Sequence, residues 1–542
     1  MSQSVTSPDL VYIVGAGPTG LTLAIELASR GVPCRLFDKR SGPAGDSRAF
    51  TIQPRTGEGY ARGSGRCMEH LLAVGKRHRG LAFHFRGVED VEYLDYAELE
   101  DRYGTPYPYI LIVEQNDTEA VLREEFARLG GVIEWNTELV SLSTDGGGRI
   151  TAILHHTDST GSGLEEVHPD WLVGCDGVHS TVRELAGFTF EGTDYTGMRF
   201  RMMDVEVSNP YPGSENWIDY WVDPNQMLLT TALPSGYRVL ISDMRDAPRA
   251  QARPDPIAAR ESFQPVVSSW LPDMRLGIPK WCNEFDIWRR TASGYRRGRI
   301  LLAGDSAHIY SPAAGMGMNT CIQDAFNLGW KLADVATGRA SAEVLDKYEN
   351  QRLPIAGQVG EASHLLHLIM MAHGNSIDAR REILARPGFH GEAAALIAGL
   401  TYHYRGLIAQ PPGLTPILGG LTPGDRAPDA RITSTMSVHN LLAHPGSTLL
   451  VLQRDPYSTA GADAAAAAAP FRDLLRTAVI TPPGRTAPPC GVTAHDTQVF
   501  DRYGHPHEDA LCLVLPDGYI GMRGLASDRD TLHATLGAAV LT

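Results

Sequence analysis

Two stretches of this 542-residue chain are rich in glycine and poor in bulky side chains: GAGPTG at residues 15–20 and GDSAHIYSPAAGMGMN at residues 304–319. In the first, Gly15, Gly17 and Gly20 stand at the G-x-G-x-x-G spacing. Gly15 permits a tight turn, Gly17 lets the backbone approach a pyrophosphate, and Gly20 allows helix and strand to pack closely. A helix N-terminus after such a turn stabilises phosphate charge through its free N–H groups. Asp38, eighteen residues beyond Gly20, is placed to accept hydrogen bonds from a ribose diol. In the second stretch Asp305 directly follows Gly304, and Pro312 precedes the loop Gly315, Met316, Gly317, Met318, Asn319. Backbone N–H groups at a helix start there suit a group that becomes anionic along one edge. Large side chains would block its approach.

The elements needed to hold these loops are legible around them. An apolar run at 10–14, the glycine turn, apolar residues at helical spacing (Leu21, Ala24, Leu27, Ala28) and a strand over 34–37 that ends in Asp38 form a βαβ unit. ILIVEQNDTEAVLREEFARLGGVIEW reads as strand, helix and strand. PDWLVGCDGVHSTVRELAG reads as a third strand, a glycine loop with Asp176 and Gly177, and a helix. From 188 to 290 short strand-like runs separated by turn residues predict an antiparallel sheet. Residues 291–408 return to α/β texture, with a helix predicted over 319–335. Residues 409–428 are rich in Pro and Gly and read as a linker, leaving 429–542 as a C-terminal unit.

Composition narrows the function classes. Hydrophobic content of 43% and charged content of 20% are those of a globular protein. A net charge of −15 argues against a nucleic-acid partner, since nothing offsets phosphate repulsion. No stretch approaches the roughly 18 uninterrupted apolar residues of a membrane span. MSQSVTSPDL lacks the basic-then-apolar pattern of an export signal. The seven cysteines are scattered without a CxxC pair, so neither a disulfide framework nor a metal site is expected, and the reducing cytoplasm is the expected compartment.

Taken in order, GAGPTG, GCDGVHSTVR and LLAGDSAHIYSPAAGMGMN, with SRAFTIQPRT and YENQRLP, resemble the FAD-dependent aromatic hydroxylases, the single-component flavoprotein monooxygenases. The motifs span about the first 355 residues. The C-terminal segment with PDGYIGMRG resembles the redox-inactive, thioredoxin-like tail of the phenol hydroxylase and aromatic-polyketide hydroxylase branch. The resemblance implies an α/β fold in which a Rossmann-like FAD-binding domain (1–187 and 291–408) is interleaved with a sheet domain for substrate (188–290), followed by a thioredoxin-like domain (429–542). It implies that the two glycine loops hold opposite halves of one FAD. Asp305 would accept from the ribityl chain, Pro312 would lie beside the ring, and 315–319 would face its pyrimidine edge. Arg48 and Gln115 resemble contacts to the pyrophosphate and ribityl regions. Asp176 and Gly177 belong to a motif linked to both FAD and nicotinamide binding, and Arg183 would support that loop. His308 resembles a loop residue near the flavin and equally fits a structural histidine.

No second dinucleotide unit exists, so NADH or NADPH is expected to bind transiently across the flavin-domain surface. The implied activity is hydroxylation of a phenolic or polycyclic, polyketide-like aromatic with NAD(P)H and O2, through a flavin hydroperoxide. Baeyer–Villiger or epoxidising oxygenation on the same scaffold, and flavin-bound sequestration without turnover, are the alternatives. Two departures stand out. Simple phenol hydroxylases carry an acid five residues before the arginine of the RT segment, and here that residue is Phe50. Gly57, Gly59, Gly63 and Gly65 then crowd the segment where the family has an apolar helix, which predicts a mobile loop, either a wider substrate entrance or a local irregularity. Asp219 and Tyr220 of WIDYWVDP, on the sheet expected to face the flavin, are the candidate catalytic groups. The missing acid favours an extended, already acidic polyphenol. The C-terminal domain reads as a packing or dimerisation appendage, compatible with a homodimer.

Overall fold

Parallel strands need crossover connections, and this chain supplies them in three separate pieces. In the computed structural model, which describes residues 8–45, 48–63, 66–158, 161–244, 255–371, 376–455, 457–484, 491–526 and 529–540, Val11–Val14, Cys34–Phe37, Trp171–Gly174 and Ile300–Leu302 pair in parallel. The sheet order runs 296–297, 300–302, 171–174, 11–14, 34–37, 133–134. The three neighbouring strands 300–302, 171–174 and 11–14 therefore end along one edge, which is where open α/β sheets place their ligands. The predicted helix 319–335 is Gly317–Ala336, and it packs on the first helix, Pro18–Ala28.

The second sheet has eight strands, in the order 308–309, 281–292, 190–205, 236–244, 226–233, 217–222, 80–85, 91–95. It is wider than the 188–290 expectation, because Gly80–Phe85 and Val91–Asp95 join its edge from far upstream, the former in parallel with Trp217–Val222. One face packs on the helix Pro256–Trp270 (Phe263, Val267 against Trp221, Ile241). The other packs on the 312–316 loop and a long helix, with Tyr220, Phe83 and Phe200 meeting Ala313, Met316 and the helix Val344–Met371.

The segment expected to be a mobile loop is helical over Pro54–Ala61 and Arg66–Val74, with Arg62 and Gly63 in a turn and residues 64–65 outside the described residues. Gly57 and Gly59 are packing requirements, Gly63 has open space around it and φ +61°, and Gly65 lies outside the described residues. A Cβ on Gly59 would lie 2.1 Å from the Phe326 ring, and one on Gly57 would lie 3.2 Å from Met68 and Tyr107. Tertiary contact with the Gly317–Ala336 helix outweighs a propensity loss of about 1 kcal/mol per glycine.

The C-terminal unit is a five-stranded sheet, ordered 491–493, 475–481, 447–452, 510–514, 520–525. The 409–428 segment forms no helix or strand, yet Ile417, Asp425, Arg426 and Ala427 are buried. Among the described residues no helix is long and apolar enough to cross a membrane.

Lys331, 1% exposed on the Gly317–Ala336 helix, donates to the Asn327 backbone carbonyl and to Asn327 Oδ1, with Asp517 Oδ2 4.0 Å away. Burial lowers its pKa from 10.5 to about 7. Between those values the unfolded chain keeps a proton that the folded chain gives up, so this group's contribution to stability rises with pH and is lowest below pH 7. Lys331→Met should therefore show its largest Tm advantage over the parent near neutrality, and the gap should narrow toward pH 9.5; scanning calorimetry of both proteins across that range checks it, and a flat or widening gap refutes it.

Candidate functional site

The glycines of the first loop divide by what needs them. Gly15 has φ +105°, and a Cβ there would lie 2.4 Å from the Cys175 carbonyl oxygen. A Cβ on Gly20 would lie 1.9 Å from the Gly15 oxygen. Both are demanded by the protein's own backbone. Gly17, the N-cap of Pro18–Ala28, has an ordinary φ of −82°, and a Cβ there would meet nothing within 4 Å. Its openness serves something outside the chain, at a helix end whose first N–H groups have no helical acceptor.

The second loop repeats the division. Gly315 has φ +63°, and a Cβ would collide with Thr51 Oγ1 at 2.7 Å. Gly317, the first residue of its helix, again faces open space. Asn319, 3% exposed, stabilises this loop: its Oδ1 accepts from Gln53 N (2.8 Å) and its Nδ2 donates to the Thr51 and Gly315 carbonyls (2.9 Å each). Its side chain is thus committed to the protein, while the backbone N–H groups of residues 317–319 remain without a helical acceptor. Pro312 is exposed, and Met318 is half-buried.

The two loops adjoin. Gly304 has φ +71°, and a Cβ there would lie 2.5 Å from Thr19 Oγ1 in the first helix. Asp305 is exposed, yet the dense protein around it raises its carboxyl pKa, and Cys321 Sγ donates to Oδ1 at 3.2 Å. Arg48, exposed, contributes opposing positive charge to Asp305. Asp176 is half-buried behind the first loop; desolvation raises its pKa, while Ser180 Oγ and Val182 N donate to it. Gly177 follows with φ +81°. Arg183 donates to the Val178 (2.8 Å) and Ser306 (3.1 Å) carbonyls and so clips the 176–178 loop to the 304–306 turn.

Asp38 and Gln115 are engaged locally. Burial opposes ionisation of Asp38, but bonds from Arg40 and Ala16 N outweigh it and hold the carboxyl below its ordinary value. Ala16 N and Arg40 Nη2 donate to Oδ2, and Arg40 N and Nε donate to Oδ1, at 2.9–3.0 Å. Those four bonds fill a carboxylate's usual acceptor positions, so a ribose diol gains one where Arg40 yields. Gln115 Oε1 accepts from Ala49 N, and its Nε2 donates to Glu119. That contact places Gln115 beside the Arg48 segment.

The two candidate catalytic residues point opposite ways, as successive strand residues must. Tyr220 faces the flavin side, and its hydroxyl donates to the Ala313 carbonyl at 3.0 Å; burial raises its pKa, so it is no base at neutral pH. Asp219 lies on the other face with His84, whose Nε2 is 2.9 Å away and whose ring stacks on Trp221. The structure does not bring Asp219 to the 312–319 loop. His308, fully buried, binds Asp324 (2.6 Å) and is structural.

A buried pair missed by the sequence reading stands on the flavin-facing side. Arg238, 0% exposed, donates from Nε and Nη2 to the two carboxylate oxygens of Asp204 (2.7 Å each) and from Nη1 to the Arg48 carbonyl (3.1 Å). Its guanidinium lies 4.8 Å from the Phe50 ring centroid and 5.7 Å from that of Trp281. The signal was available: Arg238 shares its strand parity with Leu240, so a charge sits on an otherwise apolar face. Among the described residues no cluster could hold a metal ion.

Residues 10–363 match the family model of the FAD binding domain. Pentachlorophenol 4-monooxygenase from Sphingobium chlorophenolicum is 35% identical over 98% of this chain and 96% of its own length. 6-Methylpretetramide 4-monooxygenase from Streptomyces rimosus is 32% identical over 97% of this chain and 93% of its own. Among solved structures, OxyS anhydrotetracycline hydroxylase from Streptomyces rimosus aligns with a TM-score of 0.74 at 27% identity, covering 98% of this chain and 99% of that one.

An FAD fits this cleft by the test the glycines provide, since within the two loops the glycines with no internal need to be glycine, Gly17 and Gly317, are those at the two open helix ends. Gly17→Val and Gly317→Leu should therefore yield proteins with little yellow colour and a Tm within about 2 °C of the parent apoprotein, whereas Gly20→Ala should fail to fold. Melting curves and the visible spectrum check this; full flavin occupancy in Gly317→Leu would contradict it.

Proposed function

The chain belongs to the FAD-binding family of aromatic hydroxylases, and on that premise we propose that its substrate is an acidic phenol, bound as the phenolate on the flavin-facing side of the eight-stranded sheet beside Arg238. It is an FAD-dependent monooxygenase that uses NAD(P)H and O2 to hydroxylate aromatic substrates. Bound FAD supplies the reduction by NAD(P)H and the activation of oxygen.

In this proposal the N-terminus of Pro18–Ala28, with Gly15, Gly17 and Gly20, holds the pyrophosphate, with Arg48 beside it and Gln115 toward the ribityl chain. Asp38 takes the adenosine ribose as Arg40 swings away, and Asp305 takes the ribityl chain. Pro312 and the 315–319 N–H groups, with Met318 and Asn319, take the ring. Asp176 and Gly177 support the shared surface that NADH or NADPH visits. Tyr220 fixes the Ala313 carbonyl and so sets the distance between sheet and ring. The C-terminal sheet, with Ser447–Leu452 parallel to Leu475–Thr481 and antiparallel to Ala510–Val514, supports a thioredoxin-like reading of that domain.

The observation that carries the substrate proposal is a guanidinium where a base was sought. An ortho or para carbon attacks an electrophilic oxygen far faster when the ring oxygen is ionised. Phe50 replaces the acid, Tyr220 stays protonated, and Asp219 faces away, so none of these removes a proton. A phenol that arrives ionised needs no base, and Arg238 retains N–H donors beyond those given to Asp204 and Arg48. The names of the similar proteins span pentachlorophenol and 6-methylpretetramide, and the same class is proposed here.

The test is a phenol series with pKa values from about 5 to about 10, assayed by oxygen uptake at about pH 7.5. kcat/KM should follow the phenolate fraction. Arg238→Met in an Asp204→Asn background should lower it about 10- to 100-fold for the acidic members, the value of a charge-assisted hydrogen bond. Equal rates for neutral phenols, or no loss in the double variant, would overturn the proposal.

A further inference from the structure

The hairpin that closes the C-terminal sheet, Ala510–Val514 with Ile520–Leu525, does not end in solvent. Its tip, Asp517 and Gly518, is inserted beside the helices Pro54–Ala61 and Gly317–Ala336 of the flavin domain. The Asp517 carbonyl accepts from Arg55 Nη2 (2.7 Å) and Arg62 Nη1 (2.9 Å), and Asp517 Oδ2 accepts from Asn327 Nδ2 (2.9 Å). Gly518 has φ +77°, and a Cβ there would lie 2.0 Å from Arg62 Cζ, so its backbone rests directly on the guanidinium. Asp517, Arg55 and Asn327 are all more than nine-tenths buried.

From this tip a hydrogen-bonded run reaches the flavin cradle. Asn327 Nδ2 also lies 3.4 Å from the Tyr404 hydroxyl, which accepts from Arg352 Nη1 (3.1 Å). Arg352 Nε donates to Asp324 Oδ1 (2.7 Å), and Asp324 Oδ2 accepts from Gly304 N (3.1 Å). Gly304 precedes Asp305. On the other side Arg55 begins two residues after Gln53, whose N–H is held by Asn319. The tip therefore touches both helices that frame the second glycine loop.

We propose that the Asp517–Gly518 tip is a positioning element for the flavin site, through which the C-terminal domain sets the geometry of the 304–305 turn and of the start of the Gly317–Ala336 helix. This rests on flavin occupying the 304–319 cradle. Apoproteins of the parent, Asp517→Ala, Asp517→Asn and the exchange Asn327→Asp with Asp517→Asn would be titrated with FAD by fluorescence quenching. The visible band of the bound flavin and the apoprotein Tm would be recorded alongside.

The expected result is FAD binding at least ten-fold weaker and a shifted visible band in Asp517→Ala, a smaller change in Asp517→Asn, and recovery of most of the affinity in the exchange, which restores the donor–acceptor pair in reverse. If Asp517→Ala does not fold, the Asn variant and the exchange carry the comparison, since both keep the backbone bonds to Arg55 and Arg62. A lowered Tm with parental FAD affinity and spectrum in the folded variants would overturn the proposal and leave the tip as packing. A parent apoprotein that takes up no FAD would overturn the flavin reading and, with it, this inference.

Discussion

The close approach of Gly304 to Thr19 is the contact on which the rest of the cleft depends. A strand end carrying Gly304 and Asp305 comes to rest against the first turn of the Pro18–Ala28 helix, with room for no side chain between them. That contact requires 300–302, 171–174 and 11–14 to be consecutive neighbours in one parallel sheet, ending at the same edge. It also brings two helix N-termini, some 300 residues apart in sequence, to one cleft. Each supplies N–H groups without helical acceptors, and a dinucleotide whose two ends both carry acceptors can satisfy them together.

The polar groups behind the cleft are paired rather than reactive. Burial works against an ionised Asp324, yet His308 and Arg352 on its two oxygens hold its pKa low. Such a buried group gains little net stability over apolar packing, but removal of one partner is costly because the remaining charge is stranded. Its consequence here is geometric: Asp324 also accepts from Gly304 N, so the charges fix the turn that carries Asp305. His308, fully buried on Asp324, belongs to this scaffold.

Local order was legible in the sequence, and long-range pairing was not. GAGPTG with its strand, helix and Asp38 identified the first βαβ unit, because turn, periodicity and acid all lie within one segment. The strands at 80–85 and 91–95 escaped notice because nothing local says that Gly80–Phe85 will lie beside Trp217–Val222. Gly57 and Gly59 were misread for a related reason. Glycine lowers helix propensity wherever it occurs, and only the tertiary neighbours, Phe326 at Gly59 and Met68 with Tyr107 at Gly57, show that its smallness is needed. The role of Gly17 against that of Gly15 could not be separated in the sequence either, since both obey the motif and only the surrounding space distinguishes them.

Strand parity carries the final step, from fold to chemistry. On one side of the eight-stranded sheet stand Tyr220, Leu240, Met202 and the Arg238–Asp204 pair; on the other stand Asp219, His84 and Trp221 beneath the helix Pro256–Trp270. A one-residue slip in register would exchange these sets and place a carboxylate–imidazole pair at the flavin. The apolar core against Phe263 and Val267 fixes that register, because Trp221, Leu228 and Ile241 must stay buried there. The hydrophobic pattern of the far face thus determines that the flavin-facing side presents a guanidinium and a neutral phenol in place of a base. On the proposed reading, a site built this way favours an anion already formed, and the burden of ionisation passes from the enzyme to the substrate.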